Sequence, residues 1–93
     1  MVSNVNLNDI YIFHAVSELN SITAASKQLN SSKQTISRKL AQLEAALGVT
    51  LITRNSRHFQ LTSAGQSYFQ NCRQIIQQIE LANAQVQEHQ TVM

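Results

Sequence analysis

Proline is absent from all 93 residues, and glycine occurs only at Gly48 and Gly65. The two residue types that most often interrupt a helix are therefore almost missing, which predicts a mainly helical chain with two punctuation points. The length suits one domain. A chain this short buries about 60–65% of its unfolded surface, so dimerisation is a natural source of further burial. No apolar run approaches a membrane span, and the opening MVSNVNLNDI lacks the basic start and apolar stretch of a signal peptide. The lone Cys72 cannot form an internal disulfide, and a cytoplasmic location is the default expectation.

Apolar spacing divides the chain. Asn6 is placed to cap a first helix, with Asp9 in its first turn and Ile12, Val16 and Leu19 as its buried stripe, flanked by Ile10 and Phe13. Asn20-Ser21 breaks the pattern. A short second helix is expected from about Ile22 to Leu29, with Ala25 and Leu29 on one face. After the turn Asn30-Ser31-Ser32, Ser32 caps a third helix whose stripe is Ile36, Leu40, Leu43 and Leu47. Gly48 suits the position just past its end, where a left-handed conformation is cheap for glycine. Residues 51–54 and 58–61 read as two short strands, a hairpin wing turning at Asn55-Ser56-Arg57. Thr62 caps a long last helix with the seam Tyr68, Cys72, Ile75, Ile79, Ala82, Val86, in steps of four and three. That seam extends beyond the needs of a small core. Tyr68 and Phe69 are expected to pack on the first helix, and the surplus against a second copy.

Charge is confined as sharply as the apolar pattern. Six of the seven cations lie between Lys27 and Arg57 (Lys27, Lys33, Arg38, Lys39, Arg54, Arg57), and the only acid among them is Glu44. A one-sided positive field of this kind suits a polyanion such as the DNA backbone. The third helix places Gln34, Ser37, Arg38, Ala41 and Ala45 opposite its apolar stripe, with Lys33 beside them. Gln bonds an adenine edge in two places and Lys donates to guanine, while small alanines permit close approach. Ser32 and Ser37 are candidates for phosphate or base contact, Arg38 and Lys39 for the flanking backbone, and Arg57 for a narrow minor groove. A Lys/Arg/Gln face by itself is more often a solvated face. Its place on the second helix of a tight pair, ahead of a cationic hairpin, raises DNA above that reading.

The run from Asn20 to Gly65 resembles the N-terminal domain of LysR-type transcriptional regulators. The matching pieces are Ser21-Ile22-Thr23-Ala24-Ala25, Leu29, Ser32, Ile36-Ser37-Arg38, Leu43-Glu44, Leu47-Gly48-Val49, Leu51, Arg54, Arg57, Leu61-Thr62 and Gly65. Ile10, Phe13, Val16 and Glu18 fit the same pattern. The resemblance implies a winged helix-turn-helix with a two-stranded wing and a long linker helix that pairs two chains. The positions of Lys33, Gln34, Ser37, Arg38 and Arg57 would then face DNA. The family usually has glutamine where Lys33 stands and often proline or serine where Gln34 stands, so the operator of a relative does not transfer. Asn20 replaces a frequent glycine, and Ser31 a usual apolar residue.

The expectation is therefore a mainly α winged helix-turn-helix over residues 1–62, followed by a linker and dimerisation helix over 63–93. Full-length members carry a sensor domain after the linker helix, and this chain ends before one begins. Its function would be sequence-specific binding of double-stranded promoter DNA by a dimeric regulator in the cytoplasm, at the nucleoid. Helix 33–47 would enter the major groove and wing 51–61 the minor groove. The DNA-binding set is Ser32, Lys33, Gln34, Ser37, Arg38, Lys39, Arg54 and Arg57; the dimerisation set is Cys72, Ile75, Ile79, Ala82 and Val86. Two other readings stay open, a sequence-blind nucleoid protein and a helix-mediated interaction module. An enzyme is not expected, because His14, His58 and His89 lie in separate elements and Cys72 lies on an apolar seam, where it reads as a small packing residue. No cofactor, metal, membrane or small-molecule ligand is expected.

Overall fold

A computed structural model describes residues 5–53 and 59–91. Four helices and one hairpin follow in the order α1 (Leu7–Leu19), α2 (Ile22–Gln28), α3 (Lys33–Leu47), β1 (Ile52–Thr53), β2 (Gln60–Leu61) and α4 (Ser63–Thr91). The strands are antiparallel, with Ile52 opposite Leu61 and Thr53 opposite Gln60. Each is shorter than its sequence suggests, since Leu51 and Phe59 fall outside the pairing. Arg54, the turn at 55–57 and His58 lie outside the described residues.

Three helix starts use the expected caps, and Ser21 supplies one for α2 that was not anticipated. The side chain of Asn6 accepts from the N–H of Asn8 (2.8 Å), Ser21 from Ala24 (3.0 Å), Ser32 from Thr35 (3.1 Å) and Thr62 from Gly65 (3.0 Å). The first three helices also share one kind of ending, a residue in the left-handed region: Asn20 (φ 56°), Asn30 (φ 54°) and Gly48 (φ 69°). At Asn30 the chain closes with two bonds, Ser31 N–H to the Ser26 carbonyl (2.9 Å) and Asn30 N–H to that of Lys27 (3.3 Å). Asparagine tolerates this backbone better than other non-glycine residues. Three sharply defined stops, two asparagines and one glycine, explain how so short a chain reverses direction without proline.

Phe13, Ala15, Val16, Ala25, Ile36, Leu40, Leu43, Leu51, Ile52 and Cys72 form the core. The α3 stripe is as its spacing predicts, with Leu47 at the margin. The α1 stripe is not: Phe13 and Val16 are fully covered, whereas Leu19 is exposed and Ile12 only half-buried. Apolar residues nearly encircle α1, so spacing alone left two faces eligible. The α2 expectation also needs correction, because Ala25 is buried but Leu29 is exposed, and Ser26 takes the inward position. The Ser26 hydroxyl donates to the Thr23 carbonyl at 2.7 Å, which makes its burial tolerable.

The first half of α4 belongs to this core. Tyr68 meets Phe13 at a ring-centroid distance of 5.4 Å, and Phe69 stacks on His14 at 5.3 Å. His14 is therefore half-buried rather than a surface residue. Burial pushes the Cys72 thiol up to about 11. A division at residue 62 therefore does not follow the packing, which carries the core into α4. Gly65 is likewise no stop. It lies in the first turn of α4, where an added Cβ would collide with the carbonyl oxygen of Leu51 and crowd the Leu61 side chain.

Candidate nucleic-acid interface

The candidate surface is built on α3. Its apolar stripe is clamped between α1 and α2, which fixes the opposite face outward. Four residues, 29–32, separate α2 from α3, the tight connection of a helix-turn-helix. Lys33 and Gln34, in the first turn, and Arg38, one turn on, are exposed. Ser37 and Lys39 are half-buried on the two flanks. Ala41 and Ala45 extend the exposed face without bulk.

Of the two roles expected for Ser32, the hydrogen bonds in hand serve the cap. Its oxygen accepts from Thr35 N–H, and its hydroxyl donates to Thr35 Oγ1 at 2.9 Å. A phosphate oxygen only accepts, so Ser32 would have to give up that bond to contact one. The residue fixes the start of α3. Arg54 and Arg57 lie outside the described residues.

Two exposed residues stand outside the DNA-binding set expected from the sequence. Gln42 stands one turn past Arg38 on the same side of α3, and Lys27 occupies the last turn of α2. A glutamine four residues after Arg38 falls on the same helix face by spacing alone.

Glu44, the single acid of the basic window, has a structural task. One carboxylate oxygen accepts from the N–H groups of both Leu51 (2.7 Å) and Ile52 (3.0 Å). The last full turn of α3 is thereby tied to the base of the wing. Charge-assisted bonds of this type are about twice as strong as neutral ones. Thr62 reinforces the base: its N–H donates to the Leu51 carbonyl (3.0 Å) and its hydroxyl to that of Thr50 (2.8 Å). The end of α3 and the base of the hairpin are thereby tied together.

The dimerisation set divides in two. Cys72 is fully covered within the single chain (0% exposed), so it is a core residue and not part of a pairing surface. Ile75 (42% exposed), Ile79 and Ala82 line one apolar groove along α4 with Asn71, Gln74 and Gln78, and Val86 beyond them is 70% exposed.

Residues 7–66 match the family model described as bacterial regulatory helix-turn-helix protein, lysR family. The chain belongs to that family. The matched span takes in all of α2, α3 and the two strands. This LysR-type segment is 38% identical over 89 residues to the HTH-type transcriptional regulator PtxR of Pseudomonas aeruginosa, covering 96% of this chain and 28% of that one. It is 41% identical over 78 residues to the iron-regulated virulence regulatory protein IrgB of Vibrio cholerae, covering 84% and 25%. The chain thus spans about a quarter of the length of these relatives. Its fold superimposes on the BenM DNA-binding domain in complex with catB site 1 DNA with a TM-score of 0.87 at 26% identity, over 90% of this chain and 94% of that one. Among the described residues no helix is long and apolar enough to cross a membrane, and no group of three His, Cys, Asp or Glu side chains is placed to hold a metal ion.

Proposed function

We propose that this LysR-type segment reads promoter DNA sequence-specifically as a homodimer, in the cytoplasm at the nucleoid. One observation carries the reading: Lys33, Gln34 and Arg38 stand exposed at the start of a helix whose other face is locked in the core, directly after a four-residue turn. Such a helix enters the major groove N-terminus first. Gln34 and Lys33 meet base edges there, with Ser37 at their flank. Arg38 and Lys39 hold phosphates on either side, and Arg54 and Arg57 carry the charge of the wing. Residues 1–62 act as the reading head and residues 63–93 as the pairing helix. Two heads would engage half-sites about 34–36 Å apart or a multiple of that distance. The complex of the BenM DNA-binding domain with catB site 1 DNA supports the same use of this fold.

The test is selection of bound sequences from a random duplex pool, followed by titration of the winner at several salt concentrations. Arg38→Ala should weaken binding to all sequences and flatten the salt dependence by about one unit of slope. Gln34→Ala should instead shift preference, with a loss of about 1–3 kcal/mol on the best site. A pool that returns no preferred sequence would favour a sequence-blind nucleoid protein and overturn the reading.

A further inference from the structure

The leading end of α3 carries Ser32, Lys33, Gln34 and Thr35, and the structure sorts them into two kinds. Ser32 and Thr35 are bonded to each other: Ser32 Oγ accepts from Thr35 N–H at 3.1 Å and donates to Thr35 Oγ1 at 2.9 Å. Lys33 and Gln34 are exposed, and among the described residues neither makes a hydrogen bond or an ion pair. Their polar groups are uncommitted. Cα–Cβ bonds tilt toward a helix's N-terminus, so these two side chains lead when the helix advances end-on. Arg38 stands four residues after Gln34, about 6 Å further from that end.

We propose that these two side chains fix the base content of each half-site: a guanine read by Lys33 and an adenine read by Gln34, on neighbouring base pairs. The two residues differ in what they can satisfy. A lysine ammonium has three donors and no acceptor. Guanine is the one base whose own major-groove edge carries acceptors alone, N7 and O6. Adenine and cytosine each present an amino donor there, and thymine sets a methyl group beside its single O4. Lys33 therefore selects guanine by what the other three bases put in its way. A glutamine amide holds a donor NH₂ and an acceptor oxygen together, the pattern that N7 and the N6 amino group of adenine complete. On guanine the same amide would set its oxygen against O6, acceptor against acceptor. Consecutive helix residues are 1.5 Å apart along the axis and 100° apart around it, whereas stacked bases are 3.4 Å apart. Two long side chains diverging at that angle fan onto neighbouring base pairs rather than crowd onto one. This inference rests on the sequence-specific reading proposed above and names the bases that it selects.

The test exchanges the two readers. Lys33 and Gln34 are exposed, so substitutions there leave the core intact, which equal melting temperatures would show. Selection from a random duplex pool is run with the parent, Lys33→Gln and Gln34→Lys. The parent's half-site should hold a guanine beside an adenine. Lys33→Gln should replace that guanine by adenine, and Gln34→Lys should replace that adenine by guanine, so either variant can decide the matter alone. On the parent's best duplex, changing the guanine to adenine should weaken binding about 5- to 150-fold, and Lys33→Gln should reverse the order of the two duplexes. Substituting 7-deazaguanine, which lacks the N7 acceptor, should lower the parent's affinity and make no further difference to Lys33→Met. A parent half-site without the guanine–adenine pair, or one that both exchange variants leave unaltered, would overturn the assignment while sequence-specific binding stood. A 7-deazaguanine penalty that persists in Lys33→Met would give the guanine to Arg38 and overturn it as well. A parent pool with no preferred sequence would remove the sequence-specific reading and this inference together.

Discussion

At single positions, the clearest constraint is one that composition hides. Gly65 is helical, so its need for glycine is not one of backbone angle; it is the closeness of the Leu51 carbonyl. Gly65→Ala must push the start of α4 off the base of the wing. Forcing a methyl into packed backbone costs about 1–3 kcal/mol, and the change should appear as a lowered urea midpoint with an unchanged slope. Asn20 and Asn30 present the opposite case, because their left-handed backbone favours glycine and disfavours a Cβ. Asn30→Ala should destabilise the chain by about 1 kcal/mol, whereas Asn30→Gly should be close to neutral, both read by thermal melting. The role of Asn20 was legible from the sequence, since it stands at a break between two apolar stripes. That of Gly65 was not, because a close approach between residues fourteen apart leaves no local pattern.

At the level of elements, what matters is that α3 and the wing do not move independently. The tie is Glu44, whose carboxylate collects the N–H groups of Leu51 and Ile52. Glu44→Ala leaves two backbone donors short of their acceptor, at about 1–3 kcal/mol each where water cannot replace it. Glu44→Gln keeps an acceptor oxygen and should retain most of the stability. Both remove the one negative charge in the basic window, so electrostatics alone would strengthen DNA binding equally in the two variants. The coupling argument expects them to differ. Glu44→Gln should hold or improve affinity, while Glu44→Ala should lose it, as measured by fluorescence anisotropy on one duplex beside a urea titration. Helices were the readable part of this architecture: their caps and the α3 stripe follow from spacing and local hydrogen bonding. The face of α1 was not readable, because Ile12, Phe13, Val16 and Leu19 are all apolar and only the arrival of Tyr68 and Phe69 selects among them. Cys72 was misplaced for a related reason. A heptad-like seam does not reveal where intramolecular burial stops, and here it stops between Cys72 and Ile75, with Ile76 turned inward.

For the molecule as a whole, the homodimer proposed above would make the long α4 helix the join between two reading heads. At 29 residues it is about 43 Å long, and only its first half is needed by the core. The remainder presents Ile75, Ile79 and Ala82 in one apolar groove. Ile79→Asp places a charge at the centre of that groove without touching the core, since Ile79 lies beyond Ile76, the last buried residue of α4. The variant should keep the helicity and melting cooperativity of a folded monomer, yet sediment at half the mass of the parent. Linking two heads raises affinity for a two-half-site duplex by about 10²–10⁴ through effective concentration alone. That is the factor Ile79→Asp should forfeit on such a duplex, with little change on a single half-site. Equal losses on both duplexes would mean that the substitution acts on the head, and an unchanged mass would mean that the exposed groove is not where two copies meet. The pairing reading requires the loss to follow the number of half-sites, because the substitution alters no residue that faces the DNA.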